Sequence, residues 1–216
     1  MDNMYVIGVT GGIGTGKSTV CVFLQELGAV VLNADIIGHE SYRRGTAAYN
    51  ELVKAFGQDI VGQDGEIDRK KVGGIVFQNP EELKKLNAIV WPRMKTIFEE
   101  KLLEAKEQGV KIAVFEAAIL FEAGWEDAVD EVWVTAAPLE KIMERLRKRN
   151  GWDDKEIARR MALQYSPEVL AERADVVVNT DCSLLELRNK IDFLWSKMNG
   201  SCAKGKIFSK RVKGFA

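Results

Sequence analysis

The sequence predicts an α/β protein, a five-stranded parallel sheet covered by helices and interrupted by two helical insertions. Three observations predict it. Short β-branched runs alternate with longer stretches whose apolar residues recur at helical spacing. The runs are spaced for ordinary helical crossovers except once, where about seventy residues carry no comparable strand signal. The first run also ends in a glycine-rich turn that opens directly onto an amphipathic helix.

Tyr5 to Thr10 (YVIGVT) is the first buried strand. Ser18 to Leu27 follows as a helix with Val20, Phe23, Leu24 and Leu27 on one face, and Gly28 stands where a left-handed residue ends a helix. Ala29 to Ala34 (AVVLNA), Lys111 to Phe115 (KIAVF), Glu131 to Thr135 (EVWVT) and Asp175 to Asn179 (DVVVN) supply the other four strands. The long insertion contains a turn, Gly62-Gln63-Asp64-Gly65, and two helical stretches around Asn79-Pro80 and Trp91-Pro92. A second, charged insertion runs from Glu140 to Gln164. Asn150-Gly151 punctuates it, and Asp153 with Glu156 has the spacing of a helix N-cap box. The expected layout is one domain: a core of residues 1–59, 109–139 and 166–200, a helical lobe over about 60–108, and a small helical lid over about 140–165. The tail, residues 204–216, is basic and reads as a mobile end.

Composition narrows the function. The chain has 216 residues, 46% hydrophobic and 29% charged, which suits one well-packed globular domain. A net charge of −1 supplies no bulk field for a polyanion, so no nucleic-acid partner is expected and any anionic ligand needs a local cradle. Cys21, Cys182 and Cys202 fall in no metal-ligand spacing and suit a reducing compartment. With no membrane-length apolar run and no signal-peptide layout, the expected location is cytoplasmic, without a membrane partner. A monomer or weak homo-oligomer is expected.

The glycine-rich turn is the strongest chemical signal. Gly11-Gly12-Ile13-Gly14-Thr15-Gly16-Lys17-Ser18 matches G-x-x-x-x-G-K-[ST] in full, between an apolar strand and an amphipathic helix. Glycines let successive backbone N–H groups turn toward phosphate oxygens, and the helix presents its positive end to them. Lys17 supplies a mobile charge to the β- and γ-phosphates, and the Ser18 hydroxyl is a Mg²⁺ ligand. The binding set is Gly12, Ile13, Gly14, Thr15, Gly16, Lys17, Ser18 and Thr19, with ATP and Mg²⁺ as cofactors. Two further strings fit a GTPase: Asp35-Ile36-Ile37-Gly38 and Asn189-Lys190-Ile191-Asp192. The first follows the loop too soon to leave a switch segment. The second lies in a helix whose apolar stripe is Leu184, Leu187, Ile191 and Leu194, whereas a base-reading motif should follow a strand.

Asp35 has a better use. It closes the second strand, and in a parallel sheet ligands bind outside the C-terminal strand ends. A carboxylate there can orient an attacking hydroxyl and take its proton; the competing role is an N-cap for the helix starting at Ile36. The expected fold is therefore an α/β P-loop kinase acting on a small molecule. Residue chemistry alone leaves open which one, a nucleoside monophosphate kinase included.

The segments GGIGTGKST, NADIIGHE, DGEIDR, LNAIVWP, AILFEAGW, ERLRKR, RRM followed by Gln164, and ADVVVNT stand in the order and spacing of one family. Over roughly residues 5–195 the chain resembles the dephospho-coenzyme A kinases. That resemblance implies ATP-dependent phosphorylation of the ribose 3′-hydroxyl of dephospho-coenzyme A, with the long insertion as substrate lobe. Two departures stand out: Trp91 where the family often has His, and Ala118 where its P-L-L-x-E run has Pro. In both the chain looks like the kinase domain of the animal-type bifunctional coenzyme A synthase. Arg145 and Arg149, four apart on one helix face, are the expected lid contacts to ATP. The catalytic set is Asp35, Lys17 and Arg149, the metal ligand Ser18, and the acceptor set Asp35, His39, Arg69, Glu122 and Arg160. Asp68 beside Arg69 reads equally as a helix cap, and Arg160 with Arg159 as a solvated basic face.

Overall fold

The structure, a computed structural model, describes residues 4–77 and 79–202. The basic tail over 204–216 lies outside the described residues. Five strands form one parallel sheet in the order β2-β3-β1-β4-β5: β1 Tyr5–Gly11, β2 Val30–Asn33, β3 Ile112–Glu116, β4 Glu131–Ala136 and β5 Val176–Asn179. The register runs Tyr5 to Ile112 between β1 and β3, Ile7 to Glu131 between β1 and β4, and Trp133 to Val176 between β4 and β5. Every strand falls where an apolar run predicted one, with ends shifted by a residue.

The chain divides into two compact units, one made of residues up to Val31 and from Gln108 on, the other Leu32–Glu107. In the first, β1, β3 and β4 are buried along nearly their whole length because helices cover them. Ile7, Val9, Val114 and Trp133 pack there with Val20 and Leu24 of α1 (Lys17–Glu26) and with Leu187 and Ile191 of the C-terminal helix Leu184–Cys202. Asn189 to Asp192 thus lies inside a helix, as its apolar stripe required.

The second unit contains α2 (Ala34–Ser41), α3 (Ala47–Phe56), α4 (Arg69–Val76) and α5 (Pro80–Glu107). Leu52, Ile60, Ile67, Val72, Val76 and Val90 form its core. Residues 32–59, grouped with the sheet in the sequence-based layout, pack here with the insertion. The two helical stretches expected around Asn79-Pro80 and Trp91-Pro92 are one helix: α5 runs 28 residues with Pro92 inside it. A proline within a helix costs about 3 kcal/mol. Val90 on one side, and Ile97 and Phe98 on the other, are buried along α5 and outweigh that cost.

Candidate active site

The phosphate loop joins β1 to α1, and its backbone is built for close approach. Gly11 has φ +141, and a Cβ there would come within 2.5 Å of the Thr135 carbonyl oxygen, so only glycine fits between β1 and β4. Gly16 caps α1 at φ +95 in the left-handed region, so its conformation and not the space beside Thr180 calls for glycine. Thr15 Oγ1 donates to the Gly12 carbonyl (2.7 Å) and meets Thr135 Oγ1 at 2.7 Å, both buried, which tethers the loop to β4. Among the described residues the Gly14 and Gly16 N–H groups have no hydrogen-bond partner. They remain as donors for an anion. Lys17 Nζ donates to the carbonyls of Gly11 (2.8 Å) and Gly12 (3.0 Å), which holds its ammonium against the loop.

Ser18 Oγ donates to Glu116 Oε1 at 2.8 Å. Glu116 ends β3, one strand over from the loop, and was missed from sequence; its signal was a carboxylate directly after the apolar run KIAVF. A hydroxyl facing a carboxylate is a hard-oxygen pair that fits Mg²⁺, which takes few protein ligands beside water and phosphate oxygens. Among the described residues no group of three acidic, His or Cys side chains could hold a metal. Cys21, one turn along α1, registers the local field. Burial pushes its thiol far up, Glu116 adds to that, and Lys17 opposes it.

The second insertion folds as α6 (Leu139–Asn150) and α7 (Asp154–Met161), followed by α8 (Pro167–Arg173). Ile142 and Leu146 of α6 and Ile157 of α7 share a small core with Ile13 of the loop. Asp153 caps α7 through the Glu156 N–H (2.8 Å), as its spacing predicted, but the Glu156 carboxylate turns to Arg159 and Arg160 instead of closing the box. Hydrogen bonds from Arg159 and Arg160 hold the pKa of the Glu156 carboxyl down at about 2.

Arg145 and Arg149 part ways. Arg145 is half-buried: Nη1 donates to the Gly14 carbonyl (3.3 Å) and Thr180 Oγ1 (3.1 Å), and Nη2 to the Thr180 carbonyl (2.7 Å). Thr180 Oγ1 in turn donates to the Thr15 carbonyl at 2.7 Å. Arg145 therefore clasps the loop to the segment after β5. Arg149 is exposed and donates through Nε to Asn150 Oδ1 (2.8 Å). Arg160 is held by Glu156 (2.6 Å) and stacks on Trp152 with its guanidinium 4.1 Å from the ring centre. Glu122 Oε1 accepts from the Tyr165 N–H (2.9 Å), while its other carboxylate oxygen is buried without a partner among the described residues. Gln164 accepts from the Ile13 N–H (2.8 Å) and donates to the Ala118 carbonyl (3.0 Å). A cavity of about 300 Å³ lies beside these residues, lined by Ile13, Thr15, Thr135, Ile142, Tyr165 and Leu170 among others.

In the Leu32–Glu107 unit, Asn33 caps α2 by accepting from the Asp35 and Ile36 N–H groups. The cap role weighed for Asp35 is thus filled by its neighbour, because a cap must precede the first turn and Asp35 lies within it. Asp35 is exposed and, among the described residues, its carboxylate has no hydrogen-bond or ion-pair partner. Asp35, His39 and Tyr42 follow at helical spacing. His39 packs against Tyr42, ring centres 5.7 Å apart. Burial raises the Tyr42 hydroxyl's pKa, the adjacent Arg69 guanidinium lowers it, and Asp35 raises it again. Asp68 is the N-cap of α4, as its alternative reading expected.

A glycine-rich phosphate loop between a buried parallel strand and a helix, with lysine, hydroxyl and strand-end carboxylate around it, defines a P-loop phosphotransferase. The sequence profile of dephospho-CoA kinase matches residues 5–186. The chain belongs to the dephospho-CoA kinase family. It is 42% identical over 194 residues to the dephospho-CoA kinase of Geobacter sulfurreducens, covering 90% of this chain and 98% of that one. With the dephospho-CoA kinase of Dehalococcoides mccartyi it shares 37% over 191 residues, 88% and 96% of the two chains. Among solved structures, TT1252 from Thermus thermophilus superposes with a TM-score of 0.79 at 32% identity, covering 91% of this chain and 98% of that one. Shikimate kinase from Acinetobacter baumannii in complex with shikimate shares the fold alone, with a TM-score of 0.51 at 14% identity over 93% and 96%.

Proposed function

We propose that this chain transfers the γ-phosphoryl group of ATP to the ribose 3′-hydroxyl of dephospho-coenzyme A, giving coenzyme A and ADP in the last step of coenzyme A synthesis. The observation that carries this reading is the complete phosphate loop, with Gly14 and Gly16 N–H groups open as donors, in a chain of this family. The loop amides and Lys17 hold the phosphates. Ser18 and Glu116 would hold Mg²⁺, directly or through water, and the bound ion would offset phosphate charge. Asp35 orients the acceptor hydroxyl and takes its proton, a role left to it once Asn33 is the cap. Arg149, exposed on α6, meets equatorial oxygen charge when ATP and acceptor are bound. The Leu32–Glu107 unit serves as the acceptor lobe, with Arg69 toward the substrate's acidic groups and His39 supplying a supporting hydrogen bond, and α6 and α7 serve as the lid.

Among the described residues no helix is long and apolar enough to cross a membrane. The proposed location is the cytosol, and the working form a monomer or weak homo-oligomer. The test is the product's position. ³¹P spectroscopy of the reaction mixture should show a new ribose 3′-phosphomonoester and ADP in equal amounts. ATP loss without that monoester refutes the assignment.

A further inference from the structure

We propose that Gln164 is a positioning residue for phosphoryl transfer, whose carboxamide holds the outer limb of the phosphate loop against the loop that follows β3. Three observations carry it. Gln164 Oε1 accepts from the N–H of Ile13, the third residue of the loop motif, across 151 positions of sequence. Its Nε2 donates to the Ala118 carbonyl, and the next residue, Tyr165, donates its N–H to Glu122, so the segment between α7 and α8 is pinned at two points to the loop after β3. Gly12, Ile13 and Thr15 also line the cavity, so part of the limb faces open space instead of packed side chains. The Gln164 bond fixes the Ile13 backbone, whose side chain packs with Ile142, Leu146 and Ile157, and Gly14 follows it on the same limb.

A carboxamide is required because the junction needs one acceptor and one donor on the same short arm. A carboxylate of the same length accepts from Ile13 but meets the Ala118 carbonyl oxygen without a proton, and it adds negative charge beside the phosphate loop. Gln164 also sits at the end of the α6–α7 insertion, so movement of those helices reaches the loop through this side chain as well as through Arg145 and the small core around Ile13. The role rests on the loop being the ATP site.

The test is steady-state kinetics on the full chain with Gln164→Met and Gln164→Glu. Gln164→Met keeps length and removes both hydrogen bonds. It should lower kcat/KM for ATP roughly tenfold, with KM for dephospho-coenzyme A within about twofold of the parent. Gln164→Glu should lose more at about pH 8, and its activity relative to the parent should recover toward about pH 5.5, where the introduced carboxyl nears its ordinary pKa of about 4.3 and regains a donor. Gln164→Met within about twofold of the parent overturns the proposal, as does a Gln164→Glu loss that does not change with pH and only follows a fall in Tm. If Gln164→Met does not fold, the pH dependence of Gln164→Glu decides alone. Lys17→Ala, measured alongside, separates the two readings: near-parent turnover there overturns the ATP site itself, whereas an inactive Lys17→Ala beside an unaffected Gln164→Met overturns only the role of Gln164.

Discussion

Replacing Arg145 with alanine removes three donor contacts from one half-buried guanidinium: to the Gly14 carbonyl, to Thr180 Oγ1 and to the Thr180 carbonyl. The bond to Gly14 is long at 3.3 Å, so the two to Thr180 carry most of the effect. A hydrogen bond from a charged donor is worth about 1.5–3 kcal/mol. Partial exposure lets water replace some of that, so the expected loss is about 2–3 kcal/mol. For a chain of this size each kcal/mol lowers Tm by about 2–4 °C, which gives a fall of roughly 5–10 °C. Function should suffer further, since Thr180 also holds the Thr15 carbonyl and the loop loses its clasp. KM for ATP should rise about ten- to a hundredfold. Arg145→Lys keeps the charge but loses the fork, and should lie between the two. Calorimetry and ATP titration of the same preparations read both effects. Unchanged Tm and unchanged KM for ATP in Arg145→Ala would refute the clasp.

Asp35→Asn should cut kcat by about 10² to 10⁴, the range of a general base, while Tm barely moves, because the exposed carboxylate has no described partner and Asn33 supplies the cap. A stable variant retaining most of its turnover would send the search for the base elsewhere. Arg149→Ala should lower kcat more than it weakens ATP binding, since among the described residues the side chain bonds only its neighbour Asn150 at rest; an effect confined to KM would make it a binding residue. Glu131 supplies a pH test. Burial raises its carboxyl despite a 3.0 Å bond from the Tyr5 hydroxyl. The folded chain holds that proton more tightly than the unfolded one, so its contribution is complete below the ordinary value and declines as pH rises through the raised one. Relative to the parent, Glu131→Gln should therefore gain stability as pH rises from about 4.5 toward neutrality, and parallel Tm–pH curves would contradict this.

Much of the core was legible because burial on both faces leaves continuous β-branched runs, and YVIGVT, KIAVF and EVWVT became β1, β3 and β4. The phosphate loop was legible because its chemistry is local: glycines, lysine and hydroxyl sit in eight consecutive residues. Contacts between distant segments were not. Periodicity puts Arg145 and Arg149 on one face of α6, but only the docking of that helix on the loop decides which guanidinium reaches Gly14. Gln164, Thr135 and Thr180 reach the loop from more than a hundred residues away, and the family segments that contain Gln164 and Thr180 do not say what they touch. Asn33 and Asp35 are both good cap residues two positions apart, so spacing alone does not choose between them. The stretches around Asn79-Pro80 and Trp91-Pro92 read as two because local propensity cannot weigh the burial of Val90, Ile97 and Phe98 around Pro92.

The central claim is acceptor-dependent phosphoryl transfer from ATP to dephospho-coenzyme A, and ADP release coupled to an optical signal tests it most directly. The purified chain is offered ATP and Mg²⁺ with dephospho-coenzyme A, with nucleoside monophosphates, with shikimate, or with no acceptor. The account predicts rapid ADP release with dephospho-coenzyme A alone and near-background release in every other arm. Comparable rates with another acceptor, or ADP release that needs no acceptor, would contradict it.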